Sequence, residues 1–217
     1  MNKDHIMTKD VIFDFETLSQ NSRKCVAFEC SAFVFDRAKM ISDEPYSMRD
    51  VTNTKYFKLD TLEQMNEFGF EVEDSTLDFW SKQDKNVRAR MKPREGDLTA
   101  KEFTTQFIDY LKNEGPVTYW WSRSNTFDPI ILERLCEAAG TKNAMDKQLK
   151  YWAVRDTRTF IDAATDFEGD NGFVPVRDEA FWNKAFVKHD SSWDIIADVL
   201  RIQAILRTNN DLEVPNR

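Results

Sequence analysis

The chain has 217 residues, of which 41% are hydrophobic, and a formal net charge of −8 at pH 7. This size and composition are typical of one globular domain with a sizeable core, and the acidic balance argues against coating of nucleic acid by bulk electrostatics. The sequence has no apolar run of transmembrane length and no signal-peptide core, so we expect a cytoplasmic protein without a membrane partner. The three cysteines lack metal-ligand spacing, which favours reduced core thiols.

The first predicted strand ends in a pair of carboxylates. An apolar run at 11–13 precedes Asp14 and Glu16, which lie one residue apart. Because alternate residues of a strand share one face, these two side chains should lie next to each other. Two neighbouring, partly buried anions repel and are costly to desolvate unless a cation is held between them. The stretch therefore predicts a cation site at the end of this strand.

The tripeptide Asp-Phe-Glu recurs at 166–168 and provides an internal control. There its neighbours are Gly, Asp and Asn, which are typical of a solvated loop. The alternating acids resemble a calcium loop, but Asn171 stands where an EF-hand needs glycine, and Arg177 stands where it needs the closing glutamate. We therefore predict a loop at this second copy.

The remaining pattern predicts a mixed α/β fold. Further strands are expected at 25–36, 54–59, 117–121 and 151–154, and short connections between the first three indicate an antiparallel meander. Alternation of helices and strands then predicts a mixed five-stranded sheet with helices on its faces. Helices are expected at 74–92, after the Thr99–Glu102 capping box, from Asp128 to Gly140, at 158–164 and at 191–207. We expect a single domain over 1–217, with a flexible N-terminus at 1–8 and a flexible tail at 208–217.

The segment 82–94 is rich in Lys and Arg and contains one acid, Asp84. A charge run of this kind is usually a solvated face, whereas a basic surface next to an acidic site can also bind phosphate. Both interpretations remain open at this point.

Further acids and a histidine occupy predicted helix starts. Asp128 opens a middle helix, where a carboxylate is also an ordinary N-cap. Asp194 and Asp198 lie one turn apart near the start of the last helix, off its apolar stripe, where acids are usually exposed. His189 lies five residues before Asp194. Each has an ordinary structural explanation by itself, but together with the first strand they form a three-part pattern, D-x-E, then Asp, then H-x-x-x-x-D.

This pattern resembles the DEDDh group of 3′-to-5′ exonucleases, which includes polymerase proofreading domains and RNase T, and it is carried by Asp14, Glu16, Asp128, His189 and Asp194. Segments 76–83, 127–135 and 155–160 are similar to the phage exonuclease A (DexA) proteins and their bacterial exoribonuclease relatives. The other branch of the group has Tyr four residues before the last acid, where this chain has Asp190, so the histidine branch is favoured. The resemblance implies a single exonuclease domain with an RNase H-like fold.

The resemblance also implies a reaction. We expect metal-dependent hydrolysis of single-stranded nucleic acid with a free 3′ end to 5′ mononucleotides, with DNA favoured, RNA as the alternative, and a non-catalytic nucleic-acid-binding module as a distant alternative. Asp14, Glu16, Asp128 and Asp194 would hold two divalent ions, Mg²⁺ or Mn²⁺, for which hard oxygen ligands are suited. His189 would be the general base. The bacterial relatives also allow a homodimer, and a phage-encoded protein would act in the host cytoplasm.

The expected substrate contacts surround this set. Residues that follow the metal ligands would touch the terminal nucleotide, a wall near 80–83 would stack on bases, and two arginines would bind phosphate or pair with site acids. Many relatives have Asn four residues before the middle acid, where this chain has Ser124 with Asn125 next to it. The predicted contacts are Phe15, Thr17, Leu18, Trp80, Gln83, Ser124, Asn125, Arg155 and Arg158.

Overall fold

The structure, a computed structural model, describes residues 9–167, 172–173 and 186–212. Within these residues one sheet has five strands, Lys9–Thr17 (β1), Ala27–Asp36 (β2), Lys55–Lys58 (β3), Val117–Ser122 (β4) and Val154–Asp156 (β5). Their order in the sheet is β3-β2-β1-β4-β5. β2 is antiparallel to both β1 and β3, whereas β4 is parallel to β1 and β5. The predicted meander followed by parallel strands is therefore confirmed.

Helices flank the sheet, and in the part of the chain that the structure describes two short 3₁₀ helices, Met48–Asn53 and Tyr151–Ala153, connect elements. The α-helices of the described residues are Arg37–Met40 (α1), Thr61–Phe68 (α2), Asp74–Ser81 (α3), Lys85–Arg90 (α4), Ala100–Glu114 (α5), Asp128–Ala138 (α6), Lys142–Gln148 (α7), Thr157–Ala164 (α8) and Ser191–Thr208 (α9). Among the described residues, no helix combines the length and apolar character needed to cross a membrane.

The central strand β1 has a packed apolar surface on both faces of the sheet. On one face, Phe13 meets the ring of Phe107 from α5 at a centroid distance of 5.8 Å. On the other face, Ile12 belongs to a core with Ile195 of α9. Burying each of these side chains contributes about 1.5–3 kcal/mol. Because side chains alternate along the strand, the acids that follow Ile12 on its face point toward the start of α9.

Some predicted boundaries are wrong for local reasons. The helix predicted at 74–92 is divided into α3 and α4, because Asp84 adopts an extended conformation and caps α4, accepting the Asn86 N–H at 2.7 Å. The strand predicted at 151–154 begins only at Val154, and the preceding 3₁₀ helix exposes 83% of Tyr151. High β-propensity of aromatic residues caused this error.

Helix α2 was not predicted, although its signals are present in the sequence. Asp60 caps it by accepting the N–H groups of Leu62 and Glu63, and Gly69 ends it with φ 66°. Asp at the start and Gly at the end are the ordinary signals of a helix, so a shorter window would have found it. The capping box of α5 and the Gly stop after α6, by contrast, are confirmed.

Several predictions fall at the limits of the described residues. The predicted N-terminal segment 1–8 lies outside them, as does 213–217 of the predicted tail. Helix α9 ends at Thr208, one residue beyond the predicted end of this helix at 207. In the second Asp-Phe-Glu copy, Asp166 and Phe167 follow α8 with positive φ, and its glutamate, Asn171 and Arg177 lie outside the described residues.

Candidate active site

The sheet places the acidic pair of β1 below the first turn of α9. Asp14 and Glu16 follow Ile12 on the face that α9 covers. Asp190 fixes the start of α9, because its side chain accepts the N–H groups of Ser192 and Trp193. Asp194 therefore lies in the first helical turn, where it can reach the end of β1.

Glu16, His189 and Asp194 form a compact group. Each of the three residues offers one possible metal-ligand atom, a carboxylate oxygen or an imidazole nitrogen. These three atoms lie within 4.8 Å of one another, which is close enough for a shared cation. The ring of His189 also packs edge-on against Phe79 and Trp80, at centroid distances of 5.0 and 5.9 Å. Packing from α3 thus keeps the imidazole beside the two carboxylates.

Asp128 reaches the same region from α6. It is 3% exposed, and its Oδ1 accepts the backbone N–H of Phe15 at 3.0 Å. The N-cap position belongs to Phe127, so the ordinary N-cap explanation for Asp128 is wrong. Instead, its carboxylate is hydrogen-bonded to the backbone of β1 at the residue that follows Asp14. A cleft of about 400 Å³ is lined by Asp14, Phe15, Gln20, Arg123, Ser124, Thr126, Phe127, Asp128 and Arg158.

Burial and mutual repulsion raise the pKa values of the clustered carboxyls. For Asp14, burial acts first, and the charges of Asp128 and Glu16 add to it, so its pKa lies well above the ordinary value. Burial raises the pKa of Asp128 to about 7, and burial together with neighbouring Asp198 raises that of Asp194 to about 7. Burial and the charge of Asp194 likewise raise the pKa of Glu16 well above its ordinary value. Burial and mutual repulsion therefore favour the protonated forms of these acids, whereas a bound cation would favour their charged forms.

The imidazole of His189 is perturbed in the opposite direction. Burial, and then the charge of Lys188, lower the pKa of His189. A lowered pKa keeps the ring neutral at physiological pH. A neutral ring has a free nitrogen that can accept a proton, which is the property that a general base needs.

A buried network behind Asp194 was missed in the sequence. Asp198 was expected to be exposed but is 3% exposed. Its carboxylate accepts hydrogen bonds from Thr157 Oγ1 at 2.6 Å and Arg201 Nη1 at 2.8 Å, and it forms an ion pair with Arg123, which lines the cleft. The spacing of Asp194 and Asp198 by one helical turn was the signal for this arrangement, but the buried arginines were not predicted.

Several predicted substrate contacts are core residues. Trp80 is 3% exposed, and its Nε1 donates to the carbonyl of Thr17 at 2.8 Å. Its burial contradicts the predicted base-stacking wall, whereas the adjacent Phe79 is 41% exposed. The side chains of Phe15 and Leu18 are also buried.

The remaining side chains near this wall have local partners. The hydroxyl of Thr17 donates to the Ser19 carbonyl at 2.8 Å. Gln83 Nε2 donates to the carbonyl of Phe79 at 3.0 Å. These contacts support the backbone around the site.

The two predicted phosphate-binding arginines occupy different places. Arg158 lines the cleft, and its charge opposes the rise in the pKa of Asp128. Arg155 instead lies over the ring of Tyr119 at 3.9 Å and donates to the carbonyl of Val154 at 2.7 Å. Arg158 is therefore the one of the pair that faces the carboxylates.

Ser124 and Asn125 lie between β4 and α6. Ser124 lines the cleft, and its hydroxyl is 3.0 Å from that of Thr126. Asn125 is exposed, and its backbone N–H donates to Asp156 at 3.3 Å. The structure thus places Ser124, rather than Asn125, in the lining of the cleft.

This mixed sheet with flanking helices, which gathers carboxylates and a histidine beside one cleft, is an RNase H-like exonuclease fold. A sequence profile described as "3'-5' exoribonuclease Rv2179c-like domain" matches residues 9–194, and the chain belongs to this family.

Solved structures of exonuclease I share the fold. Apo exonuclease I matches with a TM-score of 0.58 at 13% identity, covering 93% of this chain and 42% of that chain. Escherichia coli exonuclease I in complex with a 5cy-dT13 oligonucleotide matches with a TM-score of 0.59 at 12% identity, covering 94% and 42%. The chain thus spans about two fifths of the length of exonuclease I, and the likeness shows the fold alone. No curated protein matches the sequence.

Proposed function

We propose that the protein is a 3′-to-5′ exonuclease of the DEDDh type that hydrolyses single-stranded nucleic acid to 5′ mononucleotides with the help of divalent metal. The observation that carries the proposal is the group of Glu16, His189 and Asp194, whose donor atoms lie within 4.8 Å of one another. Asp14 and Asp128 line the adjoining cleft. This arrangement supplies both metal-binding oxygens and a base next to a space for substrate. We further propose that one exonuclease domain accounts for residues 1–217.

The carboxylates fit divalent ions such as Mg²⁺ or Mn²⁺. Asp14, Glu16, Asp128 and Asp194 would hold two of them through oxygen atoms, because the raised pKa values mark buried carboxyls whose mutual repulsion a cation would relieve. When bound, such ions lower the pKa of an attacking water and neutralise phosphoryl oxygens.

The other residues of the site would orient the substrate and move a proton. His189 would accept the proton of the attacking water, for which its lowered pKa prepares it. Arg158 would bind a phosphate in the cleft, since guanidinium and phosphate form paired, charge-assisted hydrogen bonds. The exposed ring of Phe79 would replace Trp80 as the apolar wall for a terminal base.

The proposal also includes which sugar, deoxyribose or ribose, the substrate contains. We propose DNA as the first substrate class, as the sequence resemblance to phage exonuclease A suggests. The description of the matched family favours RNA as a second candidate. Only contacts to the 2′-hydroxyl separate the two. The closeness to phage exonuclease A, a homodimer and a cytoplasmic location stay predictions.

A time course on matched single-stranded DNA and RNA oligonucleotides tests the proposal. Both carry a 5′ label, and each reaction contains Mg²⁺, Mn²⁺ or EDTA. We expect a ladder that shortens from the 3′ end and is lost in EDTA, with faster shortening of DNA. Faster shortening of RNA would select the second candidate. Intact label on both substrates despite retained binding would replace the nuclease with a non-catalytic binding module.

A further inference from the structure

Arg90 is a basic residue of the 82–94 segment that faces the protein interior. Val87 of α4 is 1% exposed, and Arg90 lies three residues later on the same side of the helix. The side chain of Arg90 is 19% exposed, whereas Arg88 on the same helix is exposed. The segment therefore combines an outward basic surface with one arginine that has an internal role.

The guanidinium of Arg90 joins two distant parts of the chain. Its Nε lies 3.5 Å from Glu29 Oε2 on β2. Its Nη1 donates to Asp190 Oδ2 at 2.8 Å, and its Nη2 donates to the backbone carbonyl of His189 at 3.4 Å. A planar, forked group can serve several acceptors at fixed angles, which a lysine ammonium cannot reproduce.

The Glu29 end of this link is held firmly by the sheet. Glu29 is completely buried, and it lies directly opposite Glu16 in the register of the antiparallel strands β1 and β2. Its carboxylate also accepts hydrogen bonds from Tyr56 Oη at 3.0 Å and Ser191 Oγ at 3.2 Å. Arg90 is thus anchored directly beside one of the proposed metal ligands.

The other end of the link is the backbone that carries His189. This residue has φ 61°, a left-handed backbone conformation that residues with a Cβ adopt uncommonly. Asp190, the next residue, binds Arg90 through one carboxylate oxygen and caps α9 through the other. The turn that carries the imidazole is therefore linked to β2 through Arg90 and to α9 through the Asp190 cap.

We infer that Arg90 is a positioning residue for His189: by bridging Glu29 to the His189–Asp190 backbone, it keeps the imidazole beside Glu16 and Asp194. This inference rests on the proposed function. It assigns to this residue of the basic segment a role in arranging the site.

The first test is a double-mutant cycle between Arg90 and His189. If Arg90 acts through the imidazole, Arg90→Met lowers kcat by about 10- to 100-fold with little change in KM, because small displacements of a catalytic group have effects of this size. In the His189→Ala background, the same substitution lowers kcat by less than about twofold. Arg90→Lys behaves like Arg90→Met because it lacks the fork. Arg88→Met, the matched control on α4, retains the wild-type kcat.

A second variant protects the test against loss of folding. Arg90→Met leaves Glu29 buried without its cation, so the double variant Glu29→Gln/Arg90→Met, which removes both charges of this ion pair, is measured in the same way. It is expected to show the same fall in kcat. A wild-type kcat in this double variant, or an equal loss from Arg90→Met with and without His189, would overturn the inference.

An NMR measurement decides the inference even if the protein proves to have no nuclease activity. The chain has two histidines, His5 and His189, so a histidine-labelled sample gives a simple spectrum. We expect nuclear Overhauser contacts from the His189 ring to Phe79 and Trp80 in the wild type and in Arg88→Met. These contacts should be lost in the double variant Glu29→Gln/Arg90→Met. Their retention there would show that Arg90 does not place the ring.

Discussion

Removal of divalent metal should make the stability of the protein fall as the pH rises from 5 to 8. Asp128 and Asp194 have folded-state pKa values of about 7, against an ordinary value of 3.8. Between these values the folded chain binds more protons than the unfolded chain, so the stabilisation is present at low pH and is lost as the pH rises through about 7. His189 acts in the opposite direction, because its pKa is lowered.

The size of the effect follows from the pKa values. One pKa unit corresponds to about 1.4 kcal/mol, so a single acid with a folded-state pKa of about 7 loses about 3 kcal/mol between pH 5 and 8. For a chain of this size, that loss lowers the melting temperature by about 6–12 °C. The carboxyls interact strongly, so their separate contributions do not simply add. We therefore use the loss of stability calculated for one acid as the smallest change that we expect.

The assay is thermal unfolding in EDTA at pH 5, 6, 7 and 8, repeated with Mn²⁺. We expect Mn²⁺ to restore stability at high pH, because it replaces the lost protons. The variant Asp128→Asn/Asp194→Asn is the control and should show a flatter profile in EDTA. A melting temperature of the metal-free wild type that is constant or rises from pH 5 to 8 would refute the reasoning.

Three substitutions test individual residues of the site. His189→Ala should lower kcat by about 10²- to 10⁴-fold while calorimetry still detects Mn²⁺ binding, and equal activity would contradict the base assignment. Arg158→Met should raise KM by roughly 10-fold through loss of a phosphate contact, and an unchanged KM in steady-state assays would place the phosphate elsewhere. Asp198→Asn should lower the free energy of unfolding in urea by about 3–5 kcal/mol, because it removes a buried anion that Arg201 pairs with. The exposed control Asp109→Asn should change that free energy by less than about 0.5 kcal/mol, and equal effects of the two would contradict a buried network.

The sequence predicted the strands and their antiparallel meander, because strands follow from local periodicity and a meander follows from short connections. β1 needs only an apolar run, and alternation then places Asp14 and Glu16 on one face. The breaks were harder to predict. Asp84 divides one expected helix into two because a cap residue within a polar, weakly periodic segment is decided by tertiary contacts rather than by pattern.

The surroundings of the site depend on contacts between residues that are far apart in the sequence. Burial of Trp80 follows from its hydrogen bond to the Thr17 carbonyl and from packing on Phe28, neither of which leaves a local signal. The link from Arg90 to Glu29 joins segments separated by about 60 residues, so a charge run that looked like a solvated face contains an interior residue. The residue types therefore indicated the chemistry of the site, whereas the orientation of its side chains could be read only from the folded structure.

The central claim is that the acidic cluster carries out metal-dependent 3′-to-5′ cleavage, and Asp14→Asn tests it most directly. Removing one charge from a cluster of repelling carboxylates should leave the metal-free protein at least as stable as the wild type at pH 7.5. Release of 5′ mononucleotide from single-stranded DNA and RNA is then compared between the two proteins in Mn²⁺. We expect steady release by the wild type and none by the folded variant. Release by Asp14→Asn at the wild-type rate would contradict it.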